Sequence, residues 1–242
     1  MICLFTDFGL HGPYAGQMRA VLLEQAPAAA VIDLFADAPL ANPKAAAYLL
    51  AAYAPWFPAG TVFLAVVDPG VGGSRPAVIV EADRRWYVGP GNGLFELVLR
   101  RAAKAQRWDI TFAPPRISAT FHGRDLFAPV AAMLARGDAP CGVVRSDDAD
   151  RRSDWPDDLA EIVYIDHFGN AMTGLRAAIL APNSRLAVRD RTFERARTFS
   201  DLPPGAGFWY ENSNGLAEIA VNRGRANLDL GVTIGTRIKI VS

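Results

Sequence analysis

The sequence predicts an α/β amino-terminal domain with a mostly parallel sheet, followed by a small antiparallel β domain. Three observations carry this. Near-continuous apolar strands alternate with helical segments over the first part of the chain. That alternation stops at the charged run "RSDDADRRSDWPDD". Beyond it come short β-like pieces separated by turn chemistry, which suggest an antiparallel barrel or sandwich. The boundary is placed near residues 145–157, with domains over 1–150 and 158–242.

Taken in order, "ICLFT" is a short apolar strand. "GPYAGQMRAVLLEQAP" has helical spacing and begins at a proline, a favoured first-turn residue. "AVIDLF" reads as a strand. "ANPKAAAYLLAAYAPWF" reads as a helix with Asn42 as N-cap and Pro43 in the first turn. "TVFLAVVD" and "PAVIVEA" are strands, and "NGLFELVLRRAAKA" and "GRDLFAPVAAMLARG" are helices. In the second domain, "EIVYIDHFGN", "SRLAVRD", "GAGFWYENSNG", "LAEIAVN" and "TRIKIVS" are the β pieces.

Of the 242 residues, 51% are apolar and 21% charged, enough for a real core. The formal net charge is zero, so no basic excess points to a nucleic-acid partner. Cys3 and Cys141 lie far apart without CxxC spacing, which argues against a disulfide framework or a zinc knuckle. The histidines show no HExxH or HxxxH spacing, and no metal site is expected. No apolar run is long enough to span a bilayer. The start "MICLFTDFG" has no signal-peptide character, so a cytoplasmic location is expected.

Several motifs could carry chemistry. Asp7, in "TDFGLHGPY", ends the first strand, where open α/β sheets bind ligands. It reads equally as a ribose-hydroxyl acceptor or as a turn aspartate. "VVDPGVGGSRP" lacks a Walker ending and precedes a strand, so a phosphate cradle is disfavoured. What remains is Asp68 at a strand end and Arg75 across a chain-reversing turn. By themselves they favour a structural ion pair. Asn92, in "GPGNGL", reads as a helix cap. His122 sits in "TFHGRDLFAP" just before a helix. No GxSxG elbow supports a serine triad. In "YIDHFGNAMTGL", Asp166, Phe168 and Asn170 alternate into a turn. Asn170 offers a donor and an acceptor to a purine edge, and Phe168 a stacking face. A plain hairpin is the competing reading, as it is for Ser213, Asn214 and Gly215 in "ENSNG".

The motifs "TDFG", "VDPGVGGSR", "GPGNGL", "FHGRDLFAP", "IDHFGN" and "ENSNGLAEIAVN" resemble, in this order and nearly end to end, the S-adenosylmethionine (SAM) hydroxide adenosyltransferase family. That family is related to the SAM-dependent fluorinase and chlorinase. The resemblance implies an α/β domain plus a small antiparallel β-barrel. It implies homotrimers with active sites between the amino-terminal domain of one subunit and the carboxyl-terminal domain of its neighbour. The implied reaction is hydrolysis of SAM, a small-molecule substrate, to adenosine and methionine, with no cofactor and no membrane partner. Asp68, Arg75 and His122 match the water-activating group. Asp7 matches the ribose ligand and Asp166 the acid that meets the amino group. Phe168 and Asn170 match the adenine contacts, and Phe199 a second aromatic wall. Ser213 matches a carboxylate ligand, and Val221 to Arg223 a stretch near the adenine edge. Asn214 falls where the halogenases carry an arginine, and Gly12 where a polar residue is often found. The halogenases carry tyrosine at the position of Asp68, and the fluorinase's extra loop is absent. Halide transfer in the same pocket and a non-catalytic SAM-binding module are the alternatives.

Overall fold

The computed structural model describes residues 1–145 and 151–241, in two compact units, Met1–Arg152 and Ser153–Ser242. Part of the expected boundary segment, residues 146–150, lies outside the described residues.

Unit 1 is built on a seven-stranded mixed sheet. Its strands are β1 (Ile2–Thr6), β2 (Val31–Phe35), β3 (Val62–Val66), β4 (Ala77–Ala82), β5 (Arg85–Pro90), β6 (Ala105–Ile110) and β7 (Gly142–Val144). Their spatial order is β2-β1-β3-β5-β4-β6-β7. The first four in that order run parallel, and β4, β6 and β7 extend the sheet by antiparallel pairing. The helices are α1 (Tyr14–Gln25), α2 (Pro43–Tyr53), α3 (Glu96–Arg101) and α4 (Ala128–Arg136).

The central parallel strands β1 and β3 are buried on both faces, which explains their unbroken apolar runs, whereas the edge strand β2 is partly exposed and carries Asp33. Ile2, Leu4, Val62, Leu64, Val66 and Val88 point to one side and pack with Met18 and Leu22 of α1 and Val130 and Leu134 of α4. Rings fill the other side. Phe63 stacks on Tyr87 at 5.0 Å, and Phe35 meets Tyr53, the last residue of α2, at 5.0 Å. α2 starts as expected: the Asn42 side chain accepts from the Ala45 amide at 3.0 Å, ahead of Pro43.

Two helices differ from their expected extent. The segment expected to be helical over 92–105 is helical only over Glu96–Arg101, and its N-cap position is Phe95, not Asn92. Asp83 accepts from the Ala103 and Lys104 amides, which turns the chain out of the helix and into β6. The segment over 123–137 begins with a π-helical turn, Gly123–Phe127, and becomes α-helical at Ala128. Gly137, at φ 91°, closes it in the left-handed conformation.

Among the described residues, unit 2 contains β8 (Leu159–Ile165), β9 (Ala171–Arg176), β10 (Arg185–Val188), β11 (Arg191–Phe193), β12 (Gly207–Glu211), β13 (Leu216–Val221) and β14 (Lys239–Val241), with one short α-helix, α5 (Ala226–Asp229), and 3-10 turns over Ala177–Ile179 and Phe199–Asp201. The strands form antiparallel sheets in the orders β12-β13-β9-β8 and β11-β10-β14. Isolated bridges, Glu161 with Arg237 and Arg195 with Trp209, link the edges of one sheet to those of the other. Between the sheets lies a single apolar cluster centred on Ile162, Leu175, Leu186, Trp209 and Ile219. Among the described residues no helix is long and apolar enough to cross a membrane.

Candidate active site

In unit 1 the expected groups gather at the carboxyl edge of the parallel strands. β1 and β3 are neighbours in register, with Thr6 opposite Val66. Asp7 and Asp68 follow those residues by one and two positions, so both leave the sheet at the same edge. The glycine turn then folds Arg75 back onto Asp68, with Arg75 Nη2 2.5 Å and Nε 3.0 Å from Asp68 Oδ2. A two-point contact of this kind fixes the guanidinium plane as well as its charge. Both side chains are nearly buried, at 11% and 4% exposure, and the guanidinium also lies 5.2 Å over the Phe127 ring.

Arg75 Nη2 lies 3.0 Å from His122 Nδ1. A guanidinium can only donate, so Nδ1 must accept, and the imidazole proton then sits on Nε2. Burial first, and the Arg75 charge second, hold the His122 pKa below the ordinary imidazole value. Asp68, Arg75 and His122 are thus brought together as a carboxylate, a guanidinium and a neutral imidazole in contact.

Asp7 accepts from the Ala41 amide at 2.8 Å. Its carboxyl is pushed up, chiefly by burial, with the Asp68 charge adding to the effect. Asn92 does not cap a helix. Its side chain donates to the Val67 carbonyl at 2.9 Å and accepts from the Leu94 amide, tying the loop after β5 to the end of β3. Two further groups escaped the sequence reading. Asp125 accepts from the Ser118 amide at 2.7 Å and pairs with Arg124, which also donates to Gln17. This clamp holds the loop that leads into His122, and the π-helical turn begins at the next residue. Such turns recur at functional sites because they re-aim side chains.

In unit 2 a cavity of about 530 Å³ is lined by Asp166, Phe168, Asn170, Phe199, Val221 and Arg223, with His167, Tyr210 and Arg225 not foreseen in the sequence. Asp166 and Asn170 close the β8–β9 hairpin. The Asn170 amide and side chain donate to the Asp166 carboxylate at 2.8 and 3.0 Å. Gly169 holds the turn at φ 85°. Phe168 is 70% exposed, a free ring face beside a polar floor. Phe199 meets Phe208 and Tyr210 edge-on at 5.1 and 5.3 Å. Ser213 and Asn214 stand apart from that lining, on the β12–β13 turn, where Asn214 Nδ2 lies 3.2 Å from Ser213 Oγ.

An anion–cation–imidazole cluster on one unit and, on the other, an aromatic-walled cavity that also presents Asp166, Asn170 and Arg223 are groups suited to an enzyme. The chain matches the models of the SAM hydroxide adenosyltransferase N-terminal domain over residues 2–143 and C-terminal domain over residues 160–239, and it belongs to that family. It is 40% identical to a protein of Thermus thermophilus named (R)-S-adenosyl-L-methionine hydrolase, with 99% of each chain covered. It is 38% identical to a protein of the same name from Salinispora arenicola, covering 100% of this chain and 97% of the other. A crystal structure of an uncharacterized conserved protein from Thermotoga maritima superposes with a TM-score of 0.90 at 32% identity, covering all of both chains.

Proposed function

We infer that this protein hydrolyses S-adenosyl-L-methionine to adenosine and L-methionine by attack of water on C5′. The observation that carries this is the Asp68–Arg75–His122 contact at the carboxyl edge of the sheet, in a chain related along its whole length to proteins named for that hydrolysis. The relatives' names specify the (R) sulfonium epimer, and we extend that preference to this chain.

The C5′–sulfur bond breaks with its electron pair going to sulfur, so methionine leaves as a neutral thioether. The leaving group needs no proton and no metal, and the reaction needs no cofactor. The difficulty lies in the nucleophile, since free water has a pKa of roughly 15.7. Arg75 supplies positive charge that favours hydroxide character. His122 presents Nε2–H as a donor that orients the water oxygen. With Nδ1 engaged by Arg75, the basic oxygens of the trio are those of Asp68, and the water proton passes to that carboxylate. Holding the water in line in a dry site can contribute roughly 7–11 kcal/mol.

In unit 2, Phe168 and Phe199 sandwich the adenine, and Asn170 accepts from its amino group. Asp166 meets the substrate's ammonium, and Ser213 and Asn214 serve its carboxylate. Asp7 takes the ribose hydroxyls. We take the working assembly to be a homotrimer in which one copy's unit 1 faces a neighbour's unit 2. A halide nucleophile is disfavoured because the Asp68 carboxylate repels it. Incubation with SAM in molar chloride should yield adenosine and methionine in equal amounts, and formation of 5′-chloro-5′-deoxyadenosine would assign the alternative chemistry.

The imidazole also sets a pH dependence. Protonating His122 places a second cation against Arg75 and removes its acceptor. Because its pKa is depressed, the neutral form persists through neutrality and is lost only on acidification below the ordinary value of 6.5. The acid limb of kcat/KM should therefore begin below pH 6.5, and the part of it that belongs to the imidazole should vanish in His122→Asn, moving the limb to lower pH. A limb at or above pH 6.5 that survives the substitution would contradict this assignment.

A further inference from the structure

Glu218 is a carboxylate with no expected role, yet it is 1% exposed in the middle of unit 2. It lies on β13, a strand flanked on both sides by β12 and β9, directly opposite Tyr210 and Met172. Three donors converge on it. Tyr210 Oη donates to Oε1 at 2.5 Å, Asn212 Nδ2 donates to Oε2 at 2.8 Å, and the Asn170 side chain bonds to it as well. Burial first, with the Asp166 charge adding to it, holds its carboxyl above the ordinary carboxylate value, although the three donors oppose the shift.

Each donor belongs to a different part of the cavity or its surroundings. Tyr210 is a wall residue, in edge contact with Phe199. Asn170 lines the floor and gives its side-chain hydrogens to Asp166 and Glu218, so its carbonyl oxygen is left for a ligand. Asn212 uses its own oxygen to accept from the Asn214 and Leu216 amides, both at 3.0 Å, which shapes the Ser213–Asn214 turn.

We propose that Glu218 is the positioning residue of unit 2, setting the aromatic wall, the Asn170 acceptor and the Ser213–Asn214 turn from one buried anion. The inference rests on the substrate reading given above. A carboxylate can accept from all three neighbours at once, which a neutral side chain cannot. In Glu218→Gln, one oxygen becomes a donor facing another donor, leaving a buried group unsatisfied. The reacting water is handled by unit 1, so the loss should fall on binding.

The test uses the full-length protein and its Glu218→Gln and Tyr210→Phe variants, with SAM kinetics, adenosine calorimetry and thermal melting. Glu218→Gln should raise the KM for SAM and the Kd for adenosine about tenfold or more, while kcat falls less than about threefold. Tyr210→Phe, which removes one of the three bonds, should raise both by a smaller factor. A folded Glu218→Gln with unchanged KM and Kd overturns the proposal, as does a loss confined to kcat. If Glu218→Gln does not fold, Tyr210→Phe decides by the same signs. If the wild type turns over no SAM, the substrate reading fails, and adenosine calorimetry alone decides. Weaker binding in the variants supports the positioning role, whereas equal binding or none in any of the proteins overturns it.

Discussion

Asp68→Asn should lower kcat by about 10²–10⁴-fold, the range typical of losing a positioned proton acceptor, with KM for SAM changed little. The substitution is nearly isosteric, yet it acts in two ways. It removes the basic oxygens that take the water's proton. It also strips Arg75 of a two-point anionic partner at 2.5 and 3.0 Å, leaving a nearly buried guanidinium uncompensated. Steady-state kinetics separates these from a binding defect. A rise in KM at constant kcat would mean that Asp68 belongs to substrate holding and not to the chemistry.

Gly72→Ala should also be damaging, although the glycine contributes no functional group. Gly72 sits at φ 79°, where a side chain is strained. A Cβ there would also lie 2.5 Å from the Ala119 carbonyl oxygen, and backbone cannot swing aside as a flexible side chain can. Gly72 lies between Asp68 and Arg75, and Ala119 lies three residues before His122. The close approach of the two loops is therefore what brings Arg75 Nη2 to His122 Nδ1. Strain of this kind costs about 1–3 kcal/mol, so Tm should fall by several degrees. Separating the loops by even an ångström should lower kcat by about 10–100-fold. A variant with wild-type kcat and Tm would show that the loops adjust independently.

The parallel half of the sheet is legible because burial on both faces demands unbroken apolar runs, and β1 and β3 show them. Asp7 and Asp68 are conspicuous as the first acids after those runs. The antiparallel edge is harder to read. β6, "AQRWDI", mixes polar and apolar residues and follows a helical pattern that gives no local stop after Arg101. The stop is supplied by Asp83, twenty residues earlier in sequence. The contact between Arg75 and His122 spans 47 residues and cannot be obtained from spacing. The order of motifs across the chain points to it instead. Glu218 is missed for a different reason. In "LAEIAV" a glutamate reads as the solvent-facing member of an alternating strand, whereas every residue of β13 is buried. Only the side chains that cover that face, Tyr210 and Met172 directly across with Asn212 and Asn170 bonded to the carboxylate, reveal this. Asp125 is hidden similarly, because it and its partner Arg124 tie together Ser118 and Gln17, which come from separate segments.

Hydrolysis in water enriched in oxygen-18, followed by mass analysis of both products, tests the central claim most directly. Attack of water on C5′ places one labelled oxygen in the 5′-hydroxyl of adenosine and none in methionine. Unlabelled adenosine, label in methionine, or no turnover of either sulfonium epimer would contradict the assignment of Asp68, Arg75 and His122 to a water-activating site.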